Sequence, residues 1–257
     1  MLLEVGGWRL LTDPTFDPAG ERYHFGWGTA STKLTGPAVV PGDLGPIDAV
    51  LLTHDHHADN LDTAGRALLA DVPVVVTTVA GAGRLGDAVG VDGAGAVGLA
   101  PWASTRLEAP GRPPIEVVAT PCRHGPPLSR PIVGDVVGFA LTWPGQERGA
   151  VWVSGDTVLY PDLWEVADRV DVGLAVLHLG GVQFPISGPL RYTLTADDAV
   201  DLVSRLAPHT VVPVHYEGWS HFRQGRAAIE ERLATAPAEV RDTFRFAPMG
   251  EPVDLAV

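Results

Sequence analysis

The chain has 257 residues, 46% of them hydrophobic and 19% charged, a balance that builds a sizeable core and excludes wholesale disorder. Its formal net charge is −13, and Lys33 is the only lysine among 18 scattered basic residues, so no duplex-binding surface and no nucleic-acid partner are expected. The lone cysteine, Cys122, excludes an intrachain disulfide, and no apolar run approaches the roughly 20 residues of a membrane helix, so no membrane partner is expected.

Residues 5–13 read as a hairpin with Gly6-Gly7 as its tight turn. Residues 14–46 read as a long irregular stretch containing Phe16, Tyr23, Phe25 and Trp27; a loop of that length is functional or mobile. An apolar strand over 49–53 runs into the polar cluster His54-Asp55-His56-His57-Ala58-Asp59-Asn60, and residues 61–69 follow as a helix. A second buried strand spans 72–78, and a glycine-interrupted helix spans 80–88. Further strands are expected at 115–120, 136–143 and 150–154, then a short helix at 163–170 and a strand at 172–179. Thr195 and Asp198 have the spacing of a capping box, and Pro208 ends the helix they open. A strand over 210–214 leads to His215, followed by a polar helix over 226–234 and a last strand over 243–247. This order predicts an α+β chain, two packed sheets with helices outside, in one domain over residues 1–257. Residues 1–5 carry no basic region ahead of an apolar stretch, which predicts no signal peptide and a cytoplasmic location.

The histidines carry the chemical signal. His54 and His56 follow a strand, and residues i and i+2 of an extended segment point the same way, so both imidazoles can meet one ion. Asp59 follows them, and His124, Asp156 and His215 each lie past the C-terminal end of a predicted strand, where loops converge at a sheet edge. Imidazole and carboxylate donors suit Zn, Mn or Fe, and the absence of a second cysteine argues against a thiolate site. Dispersed ligands with room for a water are the catalytic arrangement, in contrast to a closed structural site.

The chain resembles the metallo-β-lactamase-fold hydrolases, in the branch that includes the ascorbate-6-phosphate lactonase. The resemblance rests on Leu11-Thr12-Asp13-Pro14, Thr53-His54-Asp55-His56-His57-Ala58-Asp59-Asn60, Thr120-Pro121-Cys122-Arg123-His124-Gly125, Ser154-Gly155-Asp156-Thr157 and Pro213-Val214-His215. It implies an αββα four-layer sandwich of two mixed sheets flanked by helices. It also implies one or two Zn²⁺ or Mn²⁺ ions per chain: His54, His56 and His124 at a first site, Asp156 bridging, and Asp59 with His215 at a second. The family signature H-x-H-x-D-H is broken here: two residues, His57 and Ala58, precede Asp59, and Asn60 replaces the final histidine. Three outcomes stay open for the second ion: weak binding, no binding, or partial rescue by His57. Asp59 is the favoured ligand, with Asp55 or His57 as the alternative that the insertion would bring to the metal.

The implied reaction is hydrolysis of a small lactone, ester or phosphate ester by a metal-bound hydroxide, with Asp59 orienting the nucleophile or acting as base. Asp13 and Thr157 are expected to fix imidazole orientation. The alternatives are a phosphodiesterase or thioesterase on the same fold, and a non-catalytic metal- or ligand-binding protein with a degenerate second site. Among the remaining residues, His178 reads as a core histidine, His221 and Glu217 as candidates to line the pocket, His24 as a surface or lid residue, and His209 as structural. Phe25 and Trp27 read as substrate contacts, and Cys122 as a buried inert thiol. The partner expected is a small-molecule substrate, with homo-oligomerisation left open.

Overall fold

A computed structural model describes residues 1–26 and 28–257. Trp27 lies outside the described residues. The chain begins with β1 (Leu2–Val5) and β2 (Trp8–Thr12), joined through Gly6 and Gly7, both at positive φ as a tight turn requires. Next come β3 (Arg22–Gly26) and β4 (Thr29–Thr32), a separate antiparallel hairpin inside the stretch expected to be irregular. Then follow β5 (Ala49–Leu51), α1 (Thr63–Leu68), β6 (Val74–Thr78), α2 (Val79–Leu85) and β7 (Ala96–Leu99).

The second half holds β8 (Ser104–Leu107), β9 (Ile115–Thr120), α3 (Arg130–Val133), β10 (Gly138–Thr142) and β11 (Ala150–Val153). It continues with α4 (Trp164–Arg169), β12 (Val172–His178), α5 (Ala196–Leu206), β13 (Thr210–Val214), α6 (Arg226–Ala234) and α7 (Ala238–Arg241). The capping box at α5 forms as its spacing predicts: Asp198 N–H donates to Thr195 Oγ1, and Thr195 N–H donates to Asp198 Oδ2. The strand expected over 243–247 shrinks to an isolated bridge between Phe244 and Val211.

One sheet has the strand order β1-β2-β5-β6-β7 and the other β13-β12-β11-β10-β9-β8. Both are mixed. In the first, only the β1–β2 pair is antiparallel. In the second, β11, β12 and β13 are parallel, and β9 shares their direction because it is antiparallel to β10, as β10 is to β11. The C-terminal ends of β9, β11, β12 and β13 therefore open at one edge.

The period-2 alternation of the strands decides the layering. Leu10, Leu51 and Val76 of the first sheet share a buried cluster with Val117, Phe139, Val153 and Val176 of the second. The opposite face of the first sheet, Leu11, Val50 and Val75, packs on Leu69 and Leu85 beside α1 and α2. The outer face of the second, with Trp152, Ala175 and Val211, packs on Val166, Val203, Ile229 and Val240 of α4 to α7. The result is the αββα four-layer sandwich.

The hairpin β3–β4 is tied to this frame through a buried ion pair. Lys33 Nζ lies 2.8 Å from Asp62 Oδ2, with side-chain exposures of 3% and 0%. Asp62 also accepts the backbone N–H groups of Phe16, Asp17 and Gly65, capping α1, while Asp17 accepts those of Thr63 and Ala64. Replacing Lys33 with methionine keeps the apolar stem but strands a carboxylate that three N–H groups only partly compensate. We expect Lys33→Met to lower unfolding stability by about 3 kcal/mol, read from the urea midpoint of the folded protein.

Candidate metal centre

Six strand ends, and the loop that follows β5, deliver the candidate residues. Asp13 follows β2, His54 follows β5, His124 follows β9, Asp156 follows β11, His178 ends β12 and His215 follows β13. Two groups of ligand atoms form at this rim. His54, His57 and His124 place one ring nitrogen each within 4.8 Å of the others, and so do the donor atoms of Asp59, Asp156 and His215.

In the first group, His57 Nδ1 lies 3.2 Å from His54 Nε2 and 3.0 Å from His124 Nε2. The outer nitrogens are held. His124 Nδ1 lies 2.7 Å from the Tyr192 carbonyl oxygen, which can only accept, so this nitrogen carries the proton and Nε2 is bare. His54 Nδ1 lies 3.0 Å from Thr53 Oγ1, whose own proton goes to the Asp13 carboxylate at 3.0 Å. Its Nε2 is bare as well. Burial holds these imidazoles neutral: His57 is lowered to about 4, His124 to about 3 and His54 well below its ordinary value. Two bare nitrogens facing a third ring nitrogen form a cation cradle.

The second group is starved of partners. Asp156 is fully buried and neither carboxylate oxygen has a hydrogen-bond partner; Asp59 Oδ1 and both ring nitrogens of His215 are likewise unpartnered. His215 Nε2 stands 3.3 Å from Asp59 Oδ2 and 3.5 Å from Asp156 Oδ2. Burial raises the pKa of Asp156. Burial would raise Asp59 too, but the His215 and His221 imidazoles beside it outweigh burial and hold it well below the carboxylate range. Burial would lower His215, yet Asp156 and Asp59 outweigh it and raise the imidazole to about 9. Buried carboxylates without donors are costly, and a divalent ion removes that cost. The donors of both groups are N and O, which suits Zn²⁺ or Mn²⁺. The residues fit the metal that the motifs imply.

The grouping differs from the sequence expectation at one residue. His56 lies in neither group, and His57 stands with His54 and His124 instead. Strand β5 ends at Leu51, and residues 52–60 are turns and bends, so the alternation of an extended segment does not apply. His56 Nδ1 turns toward Asp55 Oδ1 at 3.5 Å, and its ring packs against Gly134, where any Cβ would collide with it. Asp55 also lies outside both groups. Its carboxylate is bound by Arg84 at 2.9 and 2.5 Å, which holds its pKa down against burial. Asn60 is buried, with its amide nitrogen 3.5 Å from Thr53 Oγ1 and its carbonyl oxygen unpartnered.

Asp13 acts as expected, through Thr53 on His54 and at 3.3 Å on His178 Nε2, so His178 belongs to the supports of the site as well as to the core. Thr157 orients no imidazole; its hydroxyl accepts from Arg123 N–H and steadies the backbone before His124. Cys122 donates to the Asp156 backbone carbonyl at 3.2 Å, and burial beside Asp156 pushes its thiol pKa up, so it is no thiolate ligand. Asp13 and His215 both sit at positive φ, 40° and 57°, a strain of about 1–3 kcal/mol each that the surrounding structure sustains. His221, expected only to line the pocket, is buried with Nε2 3.0 Å from Asp59 Oδ2. Its signal in the sequence was an isolated histidine six residues past His215.

The groups open into a cavity of about 30 Å³ lined by His57, Asp59, His124 and His221 together with Phe25, Thr29, Ile132, Val133, Val182, Phe184 and Tyr192. A larger hollow of about 360 Å³ beside β13 and the C-terminal tail carries no histidine, cysteine or carboxylate.

A family model for the beta-lactamase superfamily domain matches residues 8–216. The chain belongs to the beta-lactamase superfamily. A UPF0173 metal-dependent hydrolase of Pyrobaculum neutrophilum is 27% identical over 235 residues, 90% of this chain and 87% of the relative. Two solved structures are similar over 99% of this chain and 95% of their own. One is an isothiocyanate hydrolase from Delia radicum gut bacteria, at TM-score 0.75 and 21% identity. The other is a possible metal-dependent hydrolase from Veillonella parvula, at TM-score 0.76 and 19% identity. These likenesses show the metallo-β-lactamase fold. The histidine grouped with His54 and His124 is His57, and Asp59 stands in the other group with Asp156 and His215.

The stability of the metal-free protein depends on pH from both sides. His57 and His124 have folded pKa values below the ordinary 6.5, so the unfolded chain takes up their protons first and stability falls as pH drops from about 6.5 toward 3. His215 is raised, so its contribution is complete below about 6.5 and is lost as pH rises through about 9. We expect the thermal midpoint of chelator-treated protein to peak near pH 6.5. Added Zn²⁺ should move the peak upward, because ligation requires neutral His215.

Proposed function

We propose that this metal-dependent hydrolase cleaves small uncharged acyl compounds, lactones or esters, that carry an apolar substituent. The observation that carries the reading is the cavity lining: among the described residues it contains no lysine or arginine, while Phe25, Ile132, Val133, Val182 and Phe184 supply apolar surface. A phosphate ester brings charge that such a wall leaves unpaired, and the net charge of −13 adds to the repulsion. Within the lactonase branch resembled by the motifs, a phosphate-bearing substrate would meet no lining cation.

A divalent ion held by the two groups supplies an acidified water at neutral pH and a Lewis acid for the developing oxyanion. The chain's own residues do the rest. Asp59 borders the cavity with Oδ1 unpartnered, placed to take a proton, while Oδ2 is held by His215 and His221. At about 30 Å³ the cavity admits little more than a water or two, so only the reacting carbonyl reaches the floor. The substituent rests against the exposed Leu128, Ile132, Ile186 and Leu190, on the two segments that also supply Val133, Phe184 and Tyr192. The cytoplasmic location expected from the sequence belongs to this reading, and no helix among the described residues is long and apolar enough to cross a membrane.

The structural neighbour described as an isothiocyanate hydrolase acts, by that description, on an uncharged electrophile, which supports including that class in the test. The experiment is a panel of aryl esters, alkyl lactones, alkyl isothiocyanates and phosphodiesters, with protein stripped by chelator and reloaded with Zn²⁺ or Mn²⁺. Turnover of an uncharged member, abolished by stripping and restored by reloading, is expected, with phosphodiester kcat/KM at least 100-fold lower. Preference for the phosphodiester would replace the reading, and tight metal binding without any turnover would favour the non-catalytic alternative.

A further inference from the structure

The Asp59 side chain accepts one hydrogen bond among the described residues, and it comes from His221. His215 Nε2 stands 3.3 Å from the same oxygen but makes no hydrogen bond with it. We propose that His221 is a positioning residue for the reaction: held in its Nε2–H tautomer by a chain of serine hydroxyls, it fixes Asp59 by Oδ2 and leaves Oδ1 free to take a proton. The proposal rests on the metal-dependent reading above.

The tautomer follows from the count of protons. A carboxylate only accepts, so the 3.0 Å bond between His221 Nε2 and Asp59 Oδ2 requires a proton on Nε2. In a neutral ring Nδ1 is then bare and needs a donor. Ser31 Oγ stands 2.5 Å from it. Ser31 Oγ in turn lies 3.1 Å from Ser220 Oγ, which accepts the Thr32 N–H at 2.9 Å. Each hydroxyl has one proton to give, so the chain runs one way: Thr32 N–H to Ser220, Ser220 O–H to Ser31, Ser31 O–H to His221 Nδ1, and His221 Nε2–H to Asp59. Hydrogen bonds in such a chain polarise one another and strengthen the last donor.

The ring is fixed in its plane as well. His221 is 3% exposed and Ser31 2%. Phe184 stacks on the imidazole with centroids 5.3 Å apart and planes 6° off parallel, and Phe25 and Phe222 close on it at 5.4 and 4.7 Å. Phe25 and Phe184 also line the cavity, so the wall that a substrate meets holds the ring that holds Asp59. Phe25 lies on β3 and Ser31 on β4, so one hairpin supplies both a part of that wall and the donor that sets the tautomer.

The competing role is packing alone, with the ring as a filler. His221→Phe keeps a stacked ring without nitrogens, His221→Gln places an amide N–H where Nε2 stands, and Ser31→Ala removes the donor to Nδ1. Thermal unfolding of each variant establishes that it is folded. Long-range ¹H–¹⁵N NMR of stripped wild type, with the His221 signals assigned by their loss in His221→Gln, reads the tautomer first. A protonated Nε2 with a bare Nδ1 is expected, and a protonated Nδ1 overturns the proposal. Metal-saturated protein is then assayed on an uncharged member of the panel. His221→Phe should lower kcat about 10–100-fold with KM changed less than about threefold, and His221→Gln should restore kcat to within about fivefold of wild type. Ser31→Ala should mix the two tautomers and lower kcat about 10-fold. A folded His221→Phe with wild-type kcat overturns the proposal, and so does a His221→Gln as slow as His221→Phe. Should His221→Phe fail to fold, a Ser31→Ala with wild-type kcat and an unchanged tautomer overturns it equally. A wild type that turns over no member of the panel counts against the function proposed above, while the NMR decides the state of His221 without turnover.

Discussion

A fully buried carboxylate with nothing to bond to is the constraint on which this structure turns. Asp156 sits past the end of β11 with both oxygens unpartnered, and Asp59 and His215 converge on it with orphaned atoms of their own. No fold places such groups together for stability, because desolvation outweighs their mutual attraction unless further partners complete the set. The neighbourhood is arranged to tolerate the concentration of charge. Burial keeps the first-group imidazoles neutral, the Asp13–Thr53 chain points His54 inward, and two residues at positive φ turn the backbone at the rim.

The fold delivers this convergence through strand direction. Because β9, β11, β12 and β13 run the same way, their ends share an edge, and the parallel β2 and β5 bring Asp13 and His54 to meet them from the other sheet. The hairpin β3–β4 contributes Phe25 and Thr29 to the cavity and Ser31 to His221. Lys33 and Asp62 fasten it beneath, so the wall of the pocket and the helix that follows the ligand loop share one buried ion pair.

Much of this was legible in the residue order. Buried strands such as β9 and β13 stood out as continuous apolar runs ended by turn residues, and the motifs past them marked the rim. The strands that escaped notice are those without that signature: β7, with a glycine and an alanine among four residues, and β8, a polar edge strand. The β3–β4 hairpin hides in a stretch whose residues are mostly exposed or half-buried. At the site, the pairing of His54 with His57 in place of His56 depends on where β5 stops, a boundary of two residues that composition does not mark. His221 was invisible as more than a pocket residue, since its link to Asp59 runs across the fold through Ser31 and Phe184.

The ion pair that fastens the hairpin uses the chain's single lysine, and that lysine is 3% exposed. Every other cationic side chain apart from histidine is a guanidinium, which stays protonated and is a poor nucleophile. The surface therefore offers no ε-amine for acylation or carbamoylation. Acylating or carbamoylating reagents therefore find no lysine amine on the exterior of this chain.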